Sequence, residues 1–180
     1  MPDGYRILRQ RMEVIRPKLF RTAFAWSQDR ALADDLAQDT LAKALVKVGQ
    51  LREIDALEGW LFRIMANLWR DHVRRDRPLQ PVEDFDVGTE QSPEETNIQR
   101  ETVNRVRKAI QGLPESYRMT LVLVDLEGFS YMETAEILDV PVGTVMSRLS
   151  RGRNRLKELL NQSDELSGPL VGKSHVRTVK

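Results

Sequence analysis

The chain has 180 residues, 41% of them hydrophobic, and a formal net charge of +1, which suits one average domain or two small ones. It contains no cysteine, which excludes disulfides, thiol catalysis and cysteine-ligated zinc within the chain and fits a reducing cytosol. No apolar run approaches the ~20 residues that span a bilayer, and the N-terminus lacks the apolar core of a signal peptide, so we expect a cytoplasmic protein without direct membrane insertion.

Apolar residues at helical spacing predict a small all-α domain for residues 1–77. The four predicted helices span about residues 7–17, 19–26, 30–48 and 57–75. The third carries Asp34, Asp35 and Asp39 in its first half and two lysines in its second, an order that suits the helix dipole. We expect this acidic side to bind a partner protein rather than a cation.

The fourth predicted helix is apolar on two sides and ends in WRDHVRR, residues 69–75. Such a helix is either deeply buried or uses one side for a ligand. Arginines beside an aromatic ring suit single-stranded nucleic acid, because the cations hold phosphates and the ring stacks on unpaired bases. Trp60 is expected in the core, whereas for Trp69 both burial and stacking remain open.

A linker is predicted for residues 78–93, where Pro78, Pro81 and Pro93 oppose helix. Residues 81–99 contain six acidic residues and no lysine or arginine. A flexible acidic tether is repelled by DNA phosphate. Two interpretations therefore stay open, an autoinhibitory segment and a solubilising connection with no further role.

A second all-α domain is predicted for residues 94–161, with a helix-turn-helix in its second half. Ser130 and Glu133 form the sequence pattern of a capping box at the start of a helix. Asp139 lies where the chain must turn, and aspartate tolerates the left-handed conformation. Pro141 presets φ for the start of the next helix.

The last predicted helix is basic on its exposed sides. Val145, Leu149 and Leu156 lie on the inward side at helical spacing, and no acidic residue occurs in residues 145–157. A short helix, a tight turn and a basic second helix are typical of a DNA-binding helix-turn-helix, whose second helix enters the major groove. The alternative is an ordinary helical hairpin with a solvated basic face. Residues 162–180 lack periodicity and are expected to be a disordered tail.

Four segments together resemble the extracytoplasmic-function sigma factors, the compact two-domain initiation factors of bacterial RNA polymerase. The segments are DDLAQDTLAKAL (residues 34–45), GWLFRIMANLWRDHVRR (59–75), LPESYR (113–118) and FSYMETAEILDVPVGTVMSRLSRGRNRL (129–156). They occur in the family's order and spacing, and the resemblance covers about residues 19–160. It implies an all-α fold of two small helical domains, a four-helix region 2 domain and a region 4 helix-turn-helix domain, joined by the flexible acidic linker.

The resemblance implies that residues 1–77 bind the polymerase clamp and melt and read the −10 element, and that residues 94–161 read the −35 element as duplex. Three sets of residues match the family's contact positions. They are Asp35, Gln38 and Asp39 for core polymerase, Asn67, Trp69, Arg70, Arg74 and Arg75 for the −10 DNA, and Thr144, Ser147, Arg148, Ser150 and Arg151 for the −35 DNA. The loop at residues 50–56 matches the part that captures a flipped base of the non-template strand.

Two positions depart from the family's pattern. Thr134 stands where an apolar residue is usual, and we expect it to loosen helix packing slightly. Met146 stands where a basic residue is common, so one phosphate or base contact is expected to be missing. Methionine can still touch a thymine methyl group.

As partners, the resemblance implies core RNA polymerase (clamp and flap), promoter DNA and an anti-sigma factor, and it implies a stress or envelope-response regulon with no catalytic residue, metal or cofactor. The alternative is a stand-alone helix-turn-helix transcriptional regulator that binds duplex DNA as a dimer. An enzyme is a third possibility, because GPLVGKS (residues 168–174) is similar to a phosphate-binding loop. This segment has three residues between its glycines rather than four and follows no strand, so we expect no nucleotide site there.

Overall fold

A computed structural model describes residues 2–51, 53–75 and 97–167, with side chains for residues 6–51, 53–75 and 102–162. This part of the chain is all-α, as predicted, with seven α-helices, short 3-10 and π-helical turns and no strand. The helices are α1 (Pro2–Ser27), α2 (Arg30–Val46), α3 (Leu57–Arg75), α4 (Asn97–Gln111), α5 (Glu115–Leu121), α6 (Tyr131–Leu138) and α7 (Val142–Ser167). We call α1–α3 the N-terminal domain and α4–α7 the C-terminal domain.

One continuous helix, α1, replaces the two helices predicted on either side of Pro17, so the described N-terminal domain has three α-helices rather than four. A proline inside a helix removes one hydrogen bond and crowds the carbonyl four residues earlier, at a cost of about 3 kcal/mol. The helix continues because both halves bury one stripe: Leu8, Met12, Leu19 and Ala23 are at most 5% exposed. Each large side chain so buried contributes about 1.5–3 kcal/mol, which outweighs the proline.

The other two helices of the N-terminal domain follow their predicted bounds closely. α2 starts at an N-cap, where the side chain of Asp29 accepts a hydrogen bond from the N–H three residues later at 3.0 Å. The 3-10 turns Val48–Gln50 and Ile54–Ala56 lie between α2 and α3, so α2 ends two residues before its predicted end at residue 48. Arg11 holds this loop against α1, because its guanidinium lies 3.1 Å from the carboxylate of Asp55.

The predicted helix-turn-helix is present with its predicted local contacts. The hydroxyl of Ser130 accepts a hydrogen bond from the N–H of Glu133 at 3.2 Å, and the Glu133 carboxylate accepts one from the N–H of Ser130 at 2.8 Å. Asp139 follows α6 in the left-handed conformation, with φ of 53°. α7 then begins directly after Pro141. These contacts confirm the capping box and the turn.

α5 and α7 approach each other closely at Gly152. A Cβ atom placed on this glycine would lie 3.3 Å from the Cβ of Tyr117. The absence of a side chain at Gly152 therefore allows α5 to pack closely against α7. Leu121 and Leu149 are buried in the adjoining core. The crossing fixes how α7 lies on its supporting helix.

The two domains pack against each other and share one hydrophobic core. Leu19 and Phe62 of the N-terminal domain and Leu123 and Ile137 of the C-terminal domain belong to it, and each is at most 2% exposed. The rings of Phe62 and Phe129 meet edge to face with their centroids 4.8 Å apart. The most extensive helix pair across this boundary is α3 against α6. Nothing in the apolar periodicity predicts this packing.

Polar contacts also cross the boundary between the domains. The hydroxyl of Thr22 donates to the carboxylate of Glu127 at 2.6 Å, and Lys18 Nζ lies 3.8 Å from the same carboxylate. Lys18 also donates to the backbone carbonyl of Glu127 at 3.2 Å. Arg118 donates to the carbonyl of Trp26 at 2.9 Å, in the last turn of α1, where carbonyls lack intrahelical partners.

α7 extends to Ser167, past the predicted boundary at residue 161, and Leu159 packs against the α5–α7 core. The predicted linker, residues 78–93, lies outside the described residues, as do residues 168–180 with the segment similar to a phosphate-binding loop. Among the helices that the structure describes, none combines the length and apolar character needed to cross a bilayer.

Candidate nucleic-acid interface

The first turns of α7 have one buried side and one exposed side. Val145 and Leu149 are 0% and 2% exposed and anchor the helix. The opposite side carries the five predicted duplex contacts, which we call the recognition face: Thr144, Ser147, Arg148, Ser150 and Arg151. Three of the five are exposed and the other two are half-buried. Met146 is 54% exposed next to this face. The helix therefore presents its cations and hydroxyls together, on the side away from the core.

Arg153 belongs to the support of α7 rather than to the recognition face. Its Nε and one terminal nitrogen donate to the two carboxylate oxygens of Asp125 at 3.0 and 2.6 Å. This hydrogen bonding raises the pKa of Arg153. The pair joins α7 to the π-helical turn Val122–Leu126, so it holds the helix in place. From the sequence, Arg153 was predicted to belong to the exposed basic surface of the last helix, because residue spacing alone does not show which cations pair with an acid.

The capping box also sets the charge at the start of α6. The pKa of Glu133 lies below its ordinary value. The first cause is hydrogen bonding to the Ser130 side chain, and the second is the hydrogen bond from the Ser130 backbone N–H. An ionised carboxylate is favourable there because it faces unpaired N–H groups at a helix N-terminus. The N-terminal cap of α6, the first helix of the helix-turn-helix, is therefore formed at neutral pH.

Three predicted −10 contacts lie on one side of α3, because residues three and four apart are neighbours on a helix. We call this side the strand face: Asn67, Arg70 and Arg74. Arg70 donates to the side-chain oxygen of Asn67 at 2.7 Å, and Arg74 donates to Asp71 at 3.0 Å. Arg75 is also exposed and donates to the backbone carbonyl of Asp71 at 3.1 Å. These contacts within the helix hold three guanidinium groups at its exposed end.

Trp69 lies in the core in this conformation, at 7% exposure. Its ring tilts against Trp26, with centroids 6.5 Å apart, and against His72 at 5.8 Å. Almost no face of the ring is free for a base, so a stacking role stays a prediction and requires the ring to leave this position. Trp60, expected in the core, is half-buried and packs against it.

The predicted polymerase contacts are exposed on one side of α2, which we call the acidic face: Asp35, Gln38 and Asp39. Gln38 donates to the carboxylate of Asp34 at 2.7 Å, and Arg16 holds the same carboxylate at 3.3 Å. Beyond these acids, Val46 is 86% exposed. An exposed apolar end next to ordered polar groups is a surface that suits a protein partner.

The strand face and the recognition face meet at the domain boundary. Arg70 and Arg74 of α3 and Arg148 of α7 line one groove of about 400 Å³. Arg63 lines a neighbouring groove of about 520 Å³, and its guanidinium lies 3.9 Å from the carboxylate of Asp139 in the turn. Arg63 was not among the predicted contacts, although it precedes Asn67 by four residues and so continues the strand face by one turn.

Two parts of the chain match described protein families. Residues 12–78 match the family described as Sigma-70 region 2, which includes the acidic face and the strand face. Residues 104–156 match the family described as Sigma-70, region 4, which includes α6 and the recognition face.

Several proteins that are similar to this chain are described as sigma factors. EcfG of Rhodopseudomonas palustris, an ECF RNA polymerase sigma factor, is 36% identical over 149 residues, which cover 80% of each chain. SigE of Mycolicibacterium smegmatis, another ECF RNA polymerase sigma factor, is 33% identical over 89% of this chain but only 62% of its own length. In a solved structure, the sigma factor RpoE from Bartonella quintana is in complex with the anti-sigma factor NepR. The fold matches with a TM-score of 0.70 at 31% identity, covering 87% of this chain and 98% of that chain.

Proposed function

Since this chain belongs to the extracytoplasmic-function sigma factors of the sigma-70 family, we propose that it binds core RNA polymerase and directs promoter recognition, DNA melting and transcription initiation. One observation carries this proposal. A region 2 domain and a region 4 domain occur in one chain, and most of the predicted contact residues of each lie exposed on one side of a helix. Either domain alone would suit many DNA-binding proteins.

The recognition face reads the −35 element as duplex. A helix that enters the major groove brings its exposed N-terminal turns to the base edges. We assign to Arg151, which is exposed, a bidentate contact to guanine, which would provide about 1–3 kcal/mol of discrimination. Further phosphate contacts add affinity that falls with salt, with a slope of about −0.9 per neutralised phosphate.

The strand face binds the −10 element after the duplex opens. Unstacking costs a few kcal/mol for each base, and a protein pocket for the extruded base offsets this cost. Arg70, Arg74 and Arg75 provide the cations for the phosphates of the separated strand, while Asn67 provides a hydrogen-bonding amide. The free energy for opening comes from binding, so this function requires no bond chemistry, no metal and no cofactor, and the chain is not an enzyme.

The acidic face of α2 binds the polymerase clamp. In the double variant Asp35→Ala with Gln38→Ala, we expect at least about tenfold weaker binding to core polymerase, because two contacts of about 1 kcal/mol each are lost. Fluorescence anisotropy of the labelled chain measures this affinity. Glu158→Ala is the matched control, because that acid is exposed on α7 and pairs with Arg155 of the same helix at 2.9 Å. Equal polymerase affinity in the double variant and the control would refute the assignment of the acidic face.

An anti-sigma factor completes the proposed set of partners. RpoE, the relative of known structure at 31% identity, is bound by its anti-sigma factor NepR. We extend that mode of control to this chain, with a stress or envelope-response regulon as its output. Because core polymerase and promoter DNA are its working partners, the chain acts in the cytoplasm.

A binding experiment separates this function from a stand-alone dimeric regulator. The full chain is titrated against promoter duplex in the presence and absence of core polymerase, and promoter-specific complexes are detected by mobility shift. A sigma factor forms specific complexes only with polymerase. Tight, specific binding of a dimer without polymerase would favour the regulator instead.

A further inference from the structure

All sulfur in this chain is in methionine, because the chain contains no cysteine. The structure describes the side chains of five methionines. Three of them, Met12, Met65 and Met119, are buried in the core at 5% exposure or less. The other two, Met132 and Met146, are 68% and 54% exposed. Both belong to the helix-turn-helix, so among the described residues the sulfur that solvent reaches lies on the part of the chain that is assigned to duplex DNA.

Met146 lies near the start of α7 with small residues beside it. Residues three and four positions away are its neighbours on the helix surface, and on the exposed side these are Val142, Gly143 and Ser150. Gly143 has no side chain, and a Cβ atom placed there would meet no atom within 4 Å. The thioether of Met146 is therefore open both to a small solute and to a base edge in the groove that α7 enters.

A peroxide converts a thioether into a sulfoxide by transferring one oxygen atom. The sulfur lone pair attacks one peroxide oxygen, the O–O bond breaks as the S–O bond forms, and the other oxygen of hydrogen peroxide leaves as water with both hydrogens. Sulfur loses two electrons and the peroxide gains them, so the step needs no further co-reactant. Sulfoxide reductases return the product to methionine. Because peroxide must reach the sulfur, exposed methionines react before buried ones.

Oxidation changes the polarity of the group that Met146 presents to DNA. A thioether is largely apolar and suits the methyl group of thymine. A sulfoxide is polar, and its oxygen accepts hydrogen bonds. In the major groove, only the amino groups of adenine and cytosine donate, while the remaining polar edges and the phosphates accept. A sulfoxide placed against a thymine methyl group therefore loses its water without gaining a partner.

We propose that Met146 is a reversible oxidation site through which peroxide weakens reading of the −35 element. This inference rests on the proposed function, because it requires the recognition face to lie in the major groove. The acidic face and the strand face contain no sulfur, so binding to core polymerase and to the −10 element continues in the oxidised chain. Promoters that depend on their −35 element are then the ones that lose transcription in the presence of peroxide.

Peptide mass spectrometry of the full chain after treatment with hydrogen peroxide tests where oxidation occurs. We expect sulfoxide at Met132 and Met146, while the three core methionines remain unmodified. In the complex with core polymerase and promoter, Met146 should react more slowly than in the polymerase complex without DNA, because the duplex covers it. Oxidation of all five methionines at one rate, or of Met146 equally with and without DNA, would overturn the proposal.

Run-off transcription tests the effect of oxidation on promoter reading. The chain is oxidised and the peroxide is removed before core polymerase is added, so the polymerase itself is not oxidised. Transcription from a promoter with both elements should fall at least about fivefold, because a buried acceptor is left without a partner, and should recover after treatment with methionine sulfoxide reductases. On a pre-opened template with a −10 element and no −35 element, transcription should not change. The same loss on both templates would contradict an effect on −35 reading.

Two variants assign the loss to one methionine. Met146→Leu keeps an apolar side chain without sulfur, whereas Met132→Leu removes the exposed methionine of α6 and keeps Met146. Each oxidised variant is compared with its own untreated form. Met146→Leu should keep its transcription after peroxide, and Met132→Leu should lose at least about fivefold, as the wild-type chain does. Equal losses in the two variants would refute Met146 as the site.

The untreated wild-type chain separates failure of this inference from failure of the proposed function. If the untreated chain directs promoter-specific transcription, and sulfoxide at Met146 leaves that transcription unchanged, the inference is wrong and the function stands. If the untreated chain directs no promoter-specific transcription, the proposed function fails and this inference fails with it.

Discussion

Replacing Thr134 by valine tests how the helix-turn-helix packs around a hydroxyl that the described structure leaves unpaired. Thr134 is 0% exposed, and its Oγ1 is buried without a hydrogen-bond partner among the described residues. A buried hydroxyl without a partner costs about 1–3 kcal/mol. Valine has nearly the same shape and no polar atom. We therefore expect Thr134→Val to raise the free energy of unfolding by about 1–2 kcal/mol.

Thr120 provides the matched control within the same domain. It is also 0% exposed, but its Oγ1 donates to the carbonyl of Ser116 at 2.8 Å. Thr120→Val should leave the unfolding free energy unchanged or lower it by about 1 kcal/mol, because it removes a satisfied hydrogen bond. Urea unfolding measures both variants, and in a thermal scan Thr134→Val should gain about 2–8 °C. If Thr134→Val is no more stable than Thr120→Val, the hydroxyl of Thr134 has a partner and the reasoning fails.

Three further predictions concern the cap, the glycines of α7 and base readout. The folded state lowers the pKa of Glu133, so the wild-type chain should be more stable than Glu133→Gln above pH 4.5, and this difference in unfolding free energy should shrink as the pH falls below 4.5. A difference in urea unfolding that does not change with pH would contradict the capping box. Gly143→Ala meets no atom within 4 Å and should stabilise by about 0.5–1 kcal/mol, whereas Gly152→Ala should gain less or lose stability; equal effects would argue against close packing of α5 on α7. Arg151→Ala in the holoenzyme should lose about 1–3 kcal/mol of discrimination at one position of the −35 element, measured with a library of single-base variants. Equal loss on every sequence would make Arg151 a phosphate anchor.

Short-range features were predictable from the residues alone. The start of α3, the capping box of Ser130 and Glu133 and the left-handed Asp139 depend on side chains within four residues of one another, and the structure has all of them. The same locality explains why the five residues of the recognition face lie on one side of α7, because helical spacing fixes their directions once Val145 and Leu149 are buried.

Features that depend on distant partners were not predictable. The helix break expected at Pro17 is absent because burial of α1 against α2 and α3 outweighs the local preference. The bonds from Lys18 and Thr22 to Glu127 join residues 109 and 105 positions apart, and no periodicity reports such pairs. Trp69 was ambiguous for a related reason, since a tryptophan beside arginines has the same spacing whether its ring packs on Trp26 or stacks on a base.

The most direct test of the account is run-off transcription with core RNA polymerase on a library of genomic promoters, with and without this chain. We expect the chain to select a small set of start sites that share a −35 and a −10 element, and the double variant Asp35→Ala with Gln38→Ala to lose that selection. The same start sites with and without the chain would contradict the claim that it is the specificity subunit of the polymerase.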